Sequence, residues 1–332
     1  MPQPKDALKI AVLMGGPSEE HAISLKSGEG VVAALRRRHW AAERVVIPKL
    51  LSVAEASHFV RRALKHSGAN VAFIALHGTF GEDGTIQQVC EDLRVAYTGS
   101  DAKASRLGMD KIASRRRFEE TGLPVPRWRA IDCAAGERPS RIDGMPFPLV
   151  VKPACQGSSL GVSVVRRPAE LPEAVAAAAR YDAQVVVEEW VDGRELTVGI
   201  LGDQALPVIE IRAPNGFFDF TAKYTPGATE YLVPAPLPPD VAQLVQTIGL
   251  MAHRALGCRH LSRADIILSK ERVPVLLEVN TIPGFTPTSL LPKAAAYAGT
   301  SYDDVCEQLI LMAHAPTAAR AARQDNPYLV RA

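Results

Sequence analysis

Three short apolar runs separated by two helix-patterned stretches open the chain, and that alternation limits the fold more than any other feature. Lys9 to Met14 ends in Gly15 and Gly16. Arg44 to Ile47 follows a helical stretch from about Glu19 to Arg37 with apolar Ile23, Val31, Ala34 and Leu35, and Val71 to Leu76 follows a second one around Val53 to His66. Short apolar runs spaced by helical segments make βαβαβ units, whose strands are parallel and covered by helices on both faces. The expected start is therefore α/β, a doubly wound parallel sheet. Ligands of such sheets sit at the carboxyl ends of the strands, and here those ends carry Gly15 with Gly16 and His77 with Gly78.

The pattern then changes. Ser100 to Gly122 reads as helical, and Pro124, Pro126, Pro139, Pro146 and Pro148 punctuate a looser stretch that marks a boundary. Beyond it come a strand at Pro148 to Lys152, a flexible turn at Gly157 to Gly161, a strand at Val162 to Val165, a helix at Glu170 to Arg180 and a strand at Gln184 to Glu189. From Glu195 strands return, followed by a helix from about Asp240 to Leu256, strands at Leu261 to Leu268 and Val273 to Val279, and helices at Pro287 to Ala298 and Tyr302 to His314. Pro316 to Ala332, rich in Ala and Arg, reads as a weakly packed tail.

Composition excludes several classes of function. With 332 residues there is room for two or three domains, at about 100 to 200 residues each. The 38 basic and 36 acidic side chains leave a net charge of +2, which gives no field for nucleic acid or an anionic membrane. The arginine triplets Arg36 to Arg38 and Arg115 to Arg117 read as solvated helix faces. Met1 to Asp6 lacks the apolar core of a signal peptide, and no apolar stretch approaches the roughly 20 residues that span a bilayer, so the expected location is cytoplasmic. The five cysteines are scattered and without a Cys-x-x-Cys pair, which argues against disulfide frameworks and zinc sites.

The most informative chemistry lies in Arg263-Ala264-Asp265 on one strand and Glu278-Val279-Asn280 at the end of the next. Residues two apart on a strand face the same way, so these side chains can converge on one surface of a hairpin. Oxygen donors from Asp, Glu and Asn suit a hard ion such as Mg²⁺, which is typically shared with substrate phosphates; an exposed ion pair at a strand end is the competing explanation. Lys152 closes an apolar strand just before the Gly-Ser turn Gly157 to Gly161, a combination that can offer an ammonium and backbone N–H groups to phosphate. A mobile hairpin turn would look the same, and the order of residues is not that of a Walker A loop. Lys111 follows Asp110 at a helix start and offers a second phosphate contact or an exposed lysine.

Glu188 and Glu195 flank Trp190 and Val191, where carboxylates can meet ribose hydroxyls beside an apolar slot. Phe217, Phe218, Asp219, Phe220, Lys223 and Tyr224 form an aromatic-rich loop, either a lid or a packed surface loop. Ser18 can cap the first helix, with Glu19 and Glu20 in its first turn favourable to the helix dipole whatever the function. A lone His77 beside a Gly-rich loop is more often structural than catalytic. Cys155 has no base near it in sequence and does not read as a nucleophile.

Taken together, MGGPSEEHAIS at Met14 to Ser24, ALHGTFGEDGT at Ala75 to Thr85, Tyr97 to Ser100, Met109 to Lys111, VKPACQGSSLG at Val151 to Gly161, Ala222 to Tyr224 and LEVNTIPGFTPTSL at Leu277 to Leu290 follow one order. With these motifs the chain resembles the D-alanine:D-alanine ligases of the ATP-grasp superfamily, from Lys9 to about Ala313. The resemblance implies a three-domain ATP-grasp ligase, the N-terminal parallel sheet being followed by two ATP-clasping α+β domains. Its bounds would be a substrate domain over 1–105, a central domain over 106–195, a catalytic domain over 196–315 and a tail over 316–332.

The same resemblance implies residue roles. Lys111, Lys152 and Lys223 would contact the phosphates of ATP, Glu188, Val191 and Glu195 the adenine edge and ribose, and Phe217 the base. Asp265, Glu278 and Asn280 would hold two Mg²⁺ ions, with Mn²⁺ able to substitute. Glu20 would hold the ammonium of the first D-alanine, with Ser158 and Tyr224 completing a hydrogen-bonded trio and His77 nearby. Arg263 and the backbone N–H of Gly284 would receive the developing oxyanion, and Ser289 with the backbone of Leu290 the second carboxylate. D-alanine and ATP would be the partners of a cytoplasmic homodimer, with no nucleic acid and no membrane.

The departures from the family pattern are Glu189 and Val191, where relatives often have Lys and Leu, and Cys155 with Gln156 in the turn. A D-alanine:D-lactate ligase or another ATP-grasp ligase is the alternative. Ester-forming relatives commonly carry Phe in place of Tyr224, so the tyrosine favours the dipeptide. A non-catalytic nucleotide-binding protein would have little reason to carry Arg263, Glu278, Asn280 and Ser289 together.

Overall fold

The computed structural model describes residues 8–213 and 229–315. Strands β1 (Lys9–Gly15), β2 (Ala41–Ile47), β3 (Val71–Ile74) and β4 (Ala96–Tyr97) form a parallel sheet in the order β2-β1-β3-β4. The helices between them are α1 (His21–Arg37), α2 (Val53–Ser67) and α3 (Thr85–Leu93). Both faces of the sheet are covered, as parallel strands require. On β1, Ile10, Val12 and Met14 pack with Val31, Val32 and Leu35 of α1, while Ala11 and Leu13 pack with Ala56, Val60 and Leu64 of α2.

Two helices, α4 (Ala102–Met109) and α5 (Lys111–Glu120), fill the stretch that reads as helical, the second starting after Asp110 as expected. Asp110 divides them: its backbone is extended, and its Oδ1 accepts the N–H groups of Ile112 and Ala113 at 2.9 and 3.0 Å. A capping carboxylate at that point starts a new helix in a new direction and places Lys111 on its first turn. A second, antiparallel sheet runs β5-β8-β6-β7, from β5 (Trp128–Asp132), β6 (Leu149–Pro153), β7 (Ser163–Val165) and β8 (Gln184–Glu189), backed by α6 (Leu171–Ala178).

The third sheet is also antiparallel. It contains β9 (Gly193–Leu201), β11 (Ile209–Arg212), β12 (Glu230–Leu232), β13 (Leu261–Ser269) and β14 (Pro274–Asn280) in the order β12-β11-β9-β13-β14, with β10 (Gln204–Ala205) paired to β9. One face packs on α7 (Pro239–Ala255) through Val198, Ala264, Ile266, Val245 and Ile248. The chain ends with α8 (Leu290–Tyr297) and α9 (Tyr302–His314).

Helix α9 returns to the first sheet. Val305, Leu309 and Ile310 share a core with Val31, Leu35 and Phe73, so this core is completed by residues from the far end of the sequence. Polar contacts fix the return. Arg37 grips Asp303 through two hydrogen bonds of 2.6 and 2.8 Å, Arg38 pairs with Asp304, and the Trp40 indole donates to Glu307 at 2.9 Å. The arginine triplet of α1, expected to be merely solvated, thus partly serves as a clamp. Among the described residues, no helix is long and apolar enough to cross a membrane.

Candidate active site

The register of β13 and β14 sets Arg263 opposite Asn280 and Asp265 opposite Glu278, and β9 adds Thr197 beside Asp265. A bulge after Asp265 shifts the pairing there, a common device beside functional sites. Asp265 is nearly buried and its oxygens are fully engaged. Oδ1 accepts from Thr197 Oγ1 at 2.7 Å and from Arg263 Nε at 2.9 Å, while Oδ2 accepts from Arg263 Nη2 at 2.8 Å and Asn280 Nδ2 at 3.0 Å. Burial opposes the charge of Arg263, but Asp265 and, after it, Glu278 and Glu82 outweigh that and keep the guanidinium protonated.

This hairpin forms one wall of a narrow slot. Its other wall is the face of the central sheet that carries Val150, Lys152 and Glu188. Lys111, Lys152, Glu188, Val191 and Glu195 line the slot together with Asp265 and Glu278, and Val150, Val162, Ile267 and Leu277 are among its apolar lining. Lys111 is directed by two contacts: its backbone N–H donates to Ala154 O at 3.1 Å and its Nζ to Gln156 O at 2.6 Å, with Glu278 3.7 Å away. Lys152 Nζ lies 2.5 Å from Glu188 Oε1, and the other oxygen of Glu188 pairs with Arg115. Burial lowers the Lys152 pKa below its ordinary value despite the attraction of Glu188. Glu189 lines the slot but is tied to Arg127 at 2.8 Å.

A wider cleft adjoins the slot, with a volume of about 570 Å³. Glu20, His77, Ser158, Arg263, Asn280, Gly284, Ser289 and Leu290 line it. The carboxyl ends of β1 and β3 bring Glu20 and His77 here, and buried Ser24 ties those ends together by accepting from Gly15 N at 2.8 Å and donating to Ala75 O at 2.7 Å. Glu20 itself precedes the first turn of α1. Ser18, expected to cap that helix, instead accepts the N–H of Glu20 at 3.2 Å, because the helix starts only at His21.

His77 is buried with three partners. Its Nε2 meets Ser27 Oγ at 3.1 Å, Nδ1 donates to Ile282 O at 3.3 Å, and Glu82 lies 3.7 Å from Nδ1. Burial pulls its pKa down, yet Glu82 and Glu20 outweigh burial and leave it raised.

At the far end of the cleft Ser289 caps a small turn, accepting from Thr286 N at 3.0 Å, and sits at the start of α8. The helix dipole and free N–H groups there favour an anion. Gly157 and Ser158 line both the slot and the cleft. Ser158 and Ser159 hold φ of 52° and 57°, a left-handed pair that costs about 1 to 2 kcal/mol per residue and that a fold keeps at sites where it has use.

Phe217, Lys223 and Tyr224 lie outside the described residues. Every other residue proposed from sequence lines one of the two connected spaces. Sequence reasoning missed Arg115, read as part of a solvated triplet: it is 1 % exposed and bound to Glu188, while Arg116 and Arg117 are exposed. It also missed Thr197, which only the sheet register brings to Asp265.

The comparisons with known proteins point the same way. The family model described as D-ala D-ala ligase C-terminus matches residues 118–311, and the one described as D-ala D-ala ligase N-terminus matches residues 51–100. The chain belongs to the D-alanine–D-alanine ligase family. It is 45% identical to the D-alanine–D-alanine ligase of Ralstonia pickettii over 92% of this chain and 91% of that one, and 42% identical to that of Desulforudis audaxviator over 92% and 98%. A crystal structure of the D-alanine–D-alanine ligase from Bacillus anthracis complexed with ATP superposes with a TM-score of 0.80 at 31% identity, covering 95% of this chain and 99% of that one.

Proposed function

We propose that the slot and the cleft of this ATP-dependent ligase divide its reaction, the slot holding ATP and the cleft two D-alanines. The chain joins the D-alanines into a dipeptide for peptidoglycan precursors, through a D-alanyl phosphate, with release of ADP and phosphate. The observation that carries the division is that Arg263 lines the cleft while Asp265, its partner two residues along the same strand, lines the slot, so one strand faces both spaces. Lys111 and Lys152 would meet phosphates in the slot, with Glu188, Val191 and Glu195 on the nucleoside. Outside the described residues, Phe217, Lys223 and Tyr224 are part of the same reading.

In the cleft, the Glu20 carboxylate would take the ammonium of the first D-alanine, and Ser289 with the start of α8 the carboxylate of the second. The amine of the second D-alanine then attacks the acyl phosphate. The C–N bond forms, phosphate leaves with the electrons of the C–O bond, and Arg263 with the N–H of Gly284 stabilises the negative oxygen in between. Asp265, Glu278 and Asn280 offer only carboxylate and amide oxygens, a donor set that fits the two Mg²⁺ ions, or Mn²⁺ in their place. Such an ion supplies charge neutralisation to phosphate oxygens. Both Asp265 oxygens are also held by Arg263, so the strength of that fork sets how readily the carboxylate turns to a cation.

A homodimer and a cytoplasmic setting belong to the same proposal. The test is ADP and phosphate release from ATP and Mg²⁺ with D-alanine, D-lactate or L-alanine, followed by mass spectrometry. Turnover with D-alanine giving the dipeptide supports the assignment of both spaces; turnover only with another acid and amine would reassign the cleft.

A further inference from the structure

Three charged side chains from three elements meet at the back of the slot: Arg115 of α5, Lys152 of β6 and Glu188 of β8, with exposures of 1 %, 6 % and 3 %. Each oxygen of the single carboxylate serves one cation, Lys152 on Oε1 and Arg115 on Oε2. We propose that Arg115 is a positioning residue that holds Glu188 while Lys152 changes partner from that carboxylate to a phosphate of ATP. This rests on the assignment of Lys152 to the phosphates made above.

The argument is one of charge balance in a dry place. A buried carboxylate left without a partner is strongly destabilising, so Lys152 can leave Glu188 only if another cation remains. Arg115 is that cation, permanently protonated and closed off from solvent. Its Nε and Nη1 have no hydrogen-bond partner among the described residues, so the guanidinium has donors left over. When Lys152 withdraws, Arg115 can take the freed oxygen as well and grip Glu188 with a planar fork, the strongest arrangement open to an arginine and a carboxylate. A lysine at this place would keep the charge but not the fork. With neither, Glu188 would retain Lys152, and the phosphates would have to compete for it.

The experiment measures ATP binding by calorimetry, and kcat and KM for ATP, in the full chain. Arg115→Met should raise the Kd for ATP by about tenfold or more, as expected for loss of a charged hydrogen bond that supports the site, with a much smaller change in kcat at saturating ATP. Arg115→Lys should lie between it and the wild type. In a Glu188→Gln background, where the neutral amide no longer holds Lys152 and any loss of the nucleoside contact is common to both proteins, adding Arg115→Met should weaken ATP binding far less than it does in the wild type. A merely structural arginine would show no such dependence on Glu188. Unchanged ATP binding in Arg115→Met, or a loss as large in the Glu188→Gln background as in the wild type, overturns the proposal. If Arg115→Met does not fold, Arg115→Lys decides: weaker ATP binding supports the proposal and unchanged binding overturns it. Lys152→Met tests the underlying assignment separately, since normal ATP binding there removes Lys152 from the phosphates whatever Arg115 does.

Discussion

The slot and the cleft share a wall but keep their charges differently. In the slot, the one Glu188 carboxylate is shared by two buried cations, Lys152 in the lining and Arg115 behind it, beside a cavity of about 130 Å³. The cleft is several times larger, and Glu20 and Ser289 are both part of its lining. Lys152, Glu188 and Arg115 are buried, so they have to be paired with one another while no nucleotide is there. In the proposed reading the cleft takes small zwitterions, and Arg263 and His77 in its lining each have a carboxylate of their own, Asp265 and Glu82. Variants should therefore separate into those that change nucleotide binding and those that change chemistry or D-alanine binding.

The largest effect should come from the shared wall. Arg263→Met is expected to lower kcat by about 10²- to 10³-fold, the usual loss for one oxyanion donor, with ATP affinity little changed. A matching loss of ATP affinity would move Arg263 to the nucleotide side and erase the division. Next is Glu20→Gln, which should raise the KM for D-alanine by about 10- to 100-fold through loss of a charged hydrogen bond. Calorimetry with ATP is the control, and weakened ATP binding there would mean that the two spaces are not separable.

Much of this was legible in the sequence, for reasons that individual residues make plain. The parallel sheet follows from the spacing of Lys9 to Met14, Arg44 to Ile47 and Val71 to Leu76 and from the continuous apolar runs of β1 and β3, which covered parallel strands show; β2, at the edge, mixes buried with exposed residues. The convergence of Arg263 with Asp265 follows from the two-residue period of a strand. Arg115 was not legible: KIASRRRFEE carries charges on almost every side of α5 and has no clear apolar stripe, so nothing local distinguishes the buried arginine from its exposed neighbours. Nor could the pattern of α9 tell that its apolar face covers the first sheet, since periodicity reports that a face is buried but never against what. The start of α5 was legible, because Asp110 is a capping type of residue and Lys111 follows it directly.

A smaller effect tests how firmly the cleft edge is set. Gly78 has φ of +66°, and a Cβ there would come within 2.8 Å of Glu20 Oε2. Gly78→Ala therefore carries both a left-handed alanine, at about 1 to 2 kcal/mol, and a push on the carboxylate. The expected result is a lower melting temperature together with a raised KM for D-alanine and an unchanged Kd for ATP. A variant that loses stability but keeps its KM would show that Glu20 has room to move, and that the cleft is less well organised than the slot.

The smallest effect concerns pH. His77 sits beneath the cleft with its pKa above the ordinary 6.5, because Glu82 and Glu20 overcome the opposing effect of burial. The folded protein thus holds that proton more tightly than the unfolded chain does. Stability from the pairing is complete below the unfolded value of 6.5 and is lost as pH rises through the raised folded value. Glu82 adds to the same trend from its own range, since burial raises it above 4.5 more than His77 lowers it. Between about pH 6 and about pH 8.5 the wild type should lose more melting temperature than His77→Gln does, the excess being about 1 to 2 °C for a modest coupling in a protein of this size. Lys152 points the other way: its lowered pKa makes burial of its charge a cost that shrinks as pH rises. If His77→Gln and the wild type showed the same slope, the Glu82 pairing would contribute nothing to stability, and the cleft would differ from the slot in size alone.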